Sequence, residues 1–167
     1  MGLPPRLFAE IYKIHGHRCP MSTLGGRLGF AARQRLAGRE PLTATYYIAT
    51  CAADGISVMT GCQKSDDSLR IMPQDRHALW LQDDDGRGIF AELSSSALQL
   101  AGEYRTLDQS LQKEEAHLSS TERQERQTTK ELFLDALLQK LWILPDEELM
   151  NFATTLPADL ASASLKQ

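Results

Sequence analysis

His15, His17 and Cys19 recur at every second position of the run His15-Gly16-His17-Arg18-Cys19-Pro20, which ends in a proline. In extended backbone alternate side chains point to one side, so two imidazoles and a thiol could converge on one point. Imidazole nitrogen mixed with thiolate sulfur is the donor set preferred by zinc and neighbouring first-row transition metals. Proline favours the first position of a helix, which sets Cys19 at or beside a helix N-cap. Free N–H groups and the positive end of the helix dipole favour a thiolate there. The run therefore reads as a metal-binding or reactive sulfur.

A second stretch, Cys51-Ala-Ala-Asp-Gly-Ile-Ser-Val-Met-Thr-Gly-Cys62, sets two more cysteines around a short helix. Cys51 follows a strand-like run and reads equally as a small buried apolar residue or as part of a site. Cys62 follows a helix-ending glycine and leads into Gln-Lys-Ser-Asp-Asp-Ser, so it is expected to be polar and accessible. Asp54 reads first as a helix cap, with a further role as acid, base or partner to a ligand. His77 and His117 have no such company and read as surface residues. Asp83-Asp84-Asp85-Gly86 lacks calcium-loop spacing and reads as a solvated hairpin tip.

Positioning these groups takes helices and a sheet. Arg6–Lys13 has apolar residues at helical spacing, and Pro20–Ala37 reads as a second helix closed by Gly38. Gly25 and Gly29 leave a bare stripe on that helix, which implies close approach by another element. Ala44–Thr50 reads as a strand, Gly55–Thr60 as a short helix capped by Asp54, and Leu69–Met72, His77–Leu81 and Gly88–Leu93 as further strands. From Ser96 the pattern turns helical. Leu100, Tyr104, Leu107, Leu111 and Leu118 form one seam, Ser119-x-x-Glu122 is a capping box, and Pro145 opens a last short helix. The class is α+β, with N-terminal helices on a mostly antiparallel sheet and helices after it. The divisions are a core over 6–95, a helical region over 96–156 packed on the core or on a dimer partner, and a flexible tail over 157–167.

Composition bounds the function. The chain has 167 residues, 42% apolar and 24% charged, which is ordinary for a soluble domain with a real core. Three cysteines are too few and odd for a disulfide scaffold. No apolar run approaches the ~20 residues of a membrane span, and Met1–Ala9 does not read as a secretory signal, so a cytoplasmic protein is expected. Residues 1–39 carry seven basic and one acidic side chain, against eleven basic and twenty-one acidic in the rest. The basic residues are not interleaved with aromatics, which argues against nucleic acid.

The two cysteine stretches resemble the FmdE-like family, whose name comes from a component of formylmethanofuran dehydrogenase. His15, Gly16, His17, Cys19 and Pro20 match its first motif, and Leu24, Gly25 and Arg27 match the Leu-Gly-x-Arg helix that follows. Cys51, Asp54 and Ile56, then Thr60, Gly61 and Cys62, match its second. No cysteine follows Cys62 in this sequence, so the zinc ribbon that many members carry at the C-terminus is not expected here. The resemblance implies an α+β core, often dimeric, with its cysteines and histidines gathered at a metal pocket. His15, His17, Cys19 and Cys62 are then the candidate ligands of zinc or another first-row transition metal, with Arg27 and Cys51 as cofactor-binding residues. Cys19, Cys62 and Asp54 are the candidate catalytic residues. The implied role is an accessory or catalytic component of a molybdenum- or tungsten-type oxidoreductase system. Two other readings stay open: metal-independent thiol redox or sulfur transfer, with Cys62 or Cys51 resolving Cys19, and a non-enzymatic metal carrier or subunit. The glycine stripe and the apolar residues from Leu100 to Trp142 predict a homodimer through the C-terminal helices.

Overall fold

The computed structural model describes residues 5–165. Two helices come first, α1 (Pro5–His15) and α2 (Pro20–Arg35), then β1 (Thr43–Tyr46) and α3 (Ala52–Thr60). β2 (Leu69–Ile71), β3 (Ala78–Gln82) and β4 (Gly88–Leu93) follow, and a long helical hairpin of α4 (Ser95–Glu114) and α5 (Ser120–Ile143) comes next. A single turn, α6 (Asp146–Leu149), leads to β5 (Met150–Ala153) and α7 (Ala158–Leu165). The sheet order is β2-β1-β3-β4-β5, and only β1 and β2 run parallel, joined across α3. The α+β class with a mostly antiparallel sheet is therefore the observed one.

Strand alternation divides the core. Leu79, Leu81, Ile89, Ala91 and Leu93 face α2, α4 and α5 in the main cluster. Ala78 and Phe90 face the other way and close around Tyr47 and Leu160. Leu160 is buried within α7, which takes up residues 158–165 of the segment read as a tail; residues 166 and 167 lie outside the described residues. β5 has no counterpart in the sequence reading. It pairs antiparallel with β4, from Leu93↔Met150 to Phe90↔Ala153, so the 96–156 region completes the sheet of the core.

The bare stripe of α2 is filled from within the chain. A Cβ at Gly25 would lie 2.0 Å from the Ala52 carbonyl oxygen, and one at Gly55 would lie 2.2 Å from that of Ser22. The α2 and α3 backbones are thus in direct contact, and the glycines do not contribute to an exposed face. Gly38 does not close α2. The helix ends at Arg35 with Leu36 as its cap, and Gly38 instead makes room for Asp83, whose Oδ2 would lie 2.3 Å from a Cβ there. Asp83 is buried rather than solvated, with Oδ1 accepting from the backbone N–H groups of Asp85 and Arg87 to shape the hairpin. Ser119 caps α5 as read, with Oγ accepting from Glu122 N–H, while Glu122 Oε1 accepts from the Ser119 hydroxyl rather than closing the box on the backbone.

Candidate metal centre

His15 is the last residue of α1, Cys19 is the N-cap of α2, and four peptide units must reverse the chain between them. Gly16 does this with φ +95°, a left-handed conformation that glycine adopts at helix ends without steric cost. Its N–H closes α1 on the Tyr12 carbonyl at 2.9 Å. The His-x-His-x-Cys run is therefore a helix end, a turn and a helix start, rather than one extended segment. The convergence still results: the His15 and His17 ring centroids are 4.4 Å apart. One donor atom from each of His15, His17 and Cys19 lies within 4.8 Å of the others.

Each donor is held by something that the fold supplies. The Cys19 backbone is extended, with φ −149°, and its sulfur accepts the Ser22 N–H at 3.3 Å, which makes the side chain the cap of α2. Asp54 does not cap α3, because that helix starts two residues earlier, with Cys51 as its N-cap. Standing in the first turn instead, Asp54 accepts from His15 Nδ1 through Oδ2 at 2.7 Å. A carboxylate only accepts, so Nδ1 carries the hydrogen, and in the neutral imidazole Nε2 presents its lone pair. That Nε2 is buried and has no hydrogen-bond partner among the described residues. A carboxylate on one imidazole nitrogen and an open lone pair on the other is the arrangement found behind metal-ligating histidines. Donors bound at about 2.0–2.3 Å around one tetrahedral ion lie about 3.3–3.8 Å apart, so small side-chain rotations bring a group within 4.8 Å onto an ion. The residues fit a metal.

Behind the group, Tyr12 OH bonds to Thr23 Oγ1 at 2.5 Å and accepts from Trp142 Nε1 at 3.1 Å. This ties α1 to α2 and α5. Arg18 pairs with Asp135, fastening the loop to α5 from outside.

In front of it lies a cleft of about 640 Å³, lined by Cys19, Met21, Cys51, His77, Tyr104 and Arg105 among others. His77, read from sequence as a surface residue, is half-buried there, and its Nδ1 has no partner among the described residues. Burial pulls its pKa below the ordinary histidine value. His117 is exposed, as read. Cys51 is exposed; partial burial of the sulfur and the neighbouring Cys19 push its pKa up.

Cys62 and Arg27 are placed elsewhere. Cys62 stands past the far end of α3, separated from Cys51 by a helix about 14 Å long. It is buried at 2% exposure rather than accessible, with its thiol donating to the Leu42 carbonyl at 3.4 Å, and burial pushes its pKa up. The loop after it turns outward, while the sulfur turns into the core. Arg27 is buried and donates to the carbonyls of Leu141 and Leu144 and to Asp146 Oδ1, at 2.7, 2.6 and 2.9 Å. It anchors α2 to the end of the helical hairpin, away from the histidines.

A family model described as FmdE, molybdenum formylmethanofuran dehydrogenase operon, matches residues 14–151. The chain belongs to the FmdE family. The His15–His17–Cys19 group, Cys51 and Asp54 all fall within the matched span of this FmdE chain. A stretch of 82 residues is 30% identical to a probable S-adenosyl-L-methionine-binding protein of Archaeoglobus fulgidus, covering 44% of this chain and 22% of that protein. The FmdE chain thus spans about a fifth of that relative's length. In structure it resembles a tungsten formylmethanofuran dehydrogenase FmdE-like protein from Syntrophus aciditrophicus. The TM-score is 0.59 at 17% identity, over 93% of this chain and 74% of that one, which supports the shared fold. Among the described residues, no helix is long and apolar enough to cross a membrane.

Proposed function

We propose that this FmdE-family chain is a cytoplasmic metal-binding protein that holds zinc or another first-row transition metal through His15, His17 and Cys19. We place it in a molybdenum- or tungsten-type oxidoreductase system as an accessory or catalytic component. One observation carries the metal reading: His15 is clamped through Nδ1 by Asp54, and its buried Nε2, next to His17 and Cys19, has no hydrogen-bond partner among the described residues. Three protein donors leave a coordination position for a small ligand, the pattern of catalytic rather than structural zinc. Bound there, the ion would supply Lewis-acid polarisation of a ligand reaching it through the cleft. The chain's own residues supply the rest: Asp54 orients His15, Arg18 and Tyr12 fix the loop, and the apolar wall of Met21, Leu98 and Ala101 limits water in the cleft. The partner assignment rests on the description of the family. The reading includes a homodimer through the outer face of α5.

Metal analysis of protein purified without chelator tests the centre. About one equivalent of metal per chain is expected, falling markedly in His17→Ala and Cys19→Ser and unchanged in His77→Ala and His117→Ala. Full retention in the first pair overturns the assignment.

A further inference from the structure

Among the described residues, Cys51 is the one thiol at the cleft that the metal reading does not use. It holds the N-cap position of α3, without a side-chain cap bond, as Cys19 holds that of α2, and the two positions are brought together by the backbone contact between these helices at Gly25, Ala52 and Gly55. Both cysteines line the same cleft. The two thiols are close enough to act on each other electrostatically. Cys62, at the opposite end of α3 and buried against Leu42, is not placed to compete. The sulfurs also differ in access, with Cys51 exposed and Cys19 only 8% exposed. That asymmetry suits a bond closed within the cleft and reopened from solvent at Cys51.

We propose that Cys19 and Cys51 are a redox-active dithiol, closed to a disulfide by a hydroperoxide, and that closure excludes metal from the centre. The second half rests on the metal reading; the first does not. With hydrogen peroxide the Cys19 sulfur attacks one oxygen, an S–O bond forms, the O–O bond breaks, and the departing hydroxide leaves as water with the proton from Cys19. The Cys51 sulfur then attacks the Cys19 sulfur, the S–S bond forms, and the S–O bond breaks. The second hydroxide leaves as water with the Cys51 proton. Two thiols lose two electrons and peroxide becomes two waters. Metals take the thiolate as ligand, so a disulfide at Cys19 leaves only His15 and His17.

The test uses the full chain, reduced and stripped of metal, treated with a small excess of hydrogen peroxide. Intact mass should show the loss of two hydrogens, and peptide mapping should give a Cys19–Cys51 link. Cys62→Ser should form the same link. Cys51→Ser should form none and should be trapped at Cys19 by a sulfenic-acid reagent. Zinc affinity of the oxidised wild type should fall by at least the roughly 10–100-fold that weaker changes around a metal cost, and dithiothreitol should restore it. A link to Cys62, a link between chains only, or three thiols still free after treatment overturns the dithiol. Equal zinc affinity before and after closure overturns the exclusion. Failure of the reduced protein to bind zinc overturns the metal reading, while a mapped Cys19–Cys51 link in that protein still supports the dithiol.

Discussion

A single carboxylate decides how His15 can be used. Were Asp54 a helix cap, its loss would weaken α3 by about 1 kcal/mol and leave the histidines alone. Bonded to His15 Nδ1, it sets the ring's orientation and the open Nε2. Asp54→Asn should therefore weaken zinc binding by about 10–100-fold with little loss of fold, measured by competition against a chelating dye. Unchanged affinity would return Asp54 to a local structural role. His77 makes a different prediction. An ordinary histidine titrates near 6.5, and burial pulls His77 lower, against the opposing pull of Glu92 and Asp75. Between the two values the unfolded chain binds the extra proton, so acidification below about pH 6.5 removes native stability, and above it this group has no effect. In metal-stripped protein the fall in urea midpoint between about pH 7 and 5.5 should be smaller for His77→Gln than for wild type. An identical fall would exclude His77 as its source. At this scale the sequence was legible where spacing alone brings groups together, as in His15, His17 and Cys19. It was not legible where tertiary packing does so. Asp54 reaches His15 across 39 residues, and His77 enters the cleft from the loop just before β3, where no local pattern marks it.

Between elements, the contact of α2 with α3 does most to position the centre, since the two N-caps carry Cys19 and Cys51 and the first turn of α3 carries Asp54. The paired glycines announced a close approach in the sequence, but not its partner, because α3 appears there as a shorter helix beginning after Asp54. Alanine at Gly25 gains about 1 kcal/mol of helix propensity. Its Cβ meets backbone at 2.0 Å, which no side-chain rotation can relieve. Overpacking of that kind typically costs about 1–3 kcal/mol, and rigid backbone on the far side pushes toward the upper end. Gly25→Ala should thus be clearly destabilised in urea and lose metal with Cys19 and Asp54 intact. Gly102→Ala, in α4 with nothing within 4 Å of the new methyl, should gain about 0.5–1 kcal/mol. Equal behaviour of the two variants would mean that α2 and α3 can separate freely. β5 escaped the sequence for a complementary reason. Four residues after a single turn of helix carry too little alternation to be seen, and their pairing is dictated by the open edge of β4.

For the whole molecule, assembly is the property that local pattern settles least. The sequence suggested two apolar surfaces, and the fold buries one of them between α2 and α3. What remains lies on α5, where Leu132 is 65% exposed, Ile143 is 73% exposed and Phe133 is partly covered by stacking on Tyr104. The inward face of the same helix, Leu134, Leu137, Leu138 and Leu141, is fully engaged with the core. A helix apolar on two faces has more to bury than one chain supplies, and a two-fold contact between copies is the commonest way to bury the second face. Arg27 and Asp146 bear on this, because they fix the end of α5 to α2 and so hold the outer face in one orientation. Burial pushes the Asp146 carboxyl up, but its bonds to Arg27 and Arg35 outweigh that and hold it below the usual carboxylate range. The clamp therefore stays intact through neutral pH and weakens only in acid. Light scattering at micromolar concentration should give a mass near twice 18.6 kDa. Leu132→Lys combined with Ile143→Lys should halve it, with unchanged circular dichroism and metal content, since both side chains point away from the core. A monomeric wild type would remove α5 as an interface between copies and leave its outer face to a different protein.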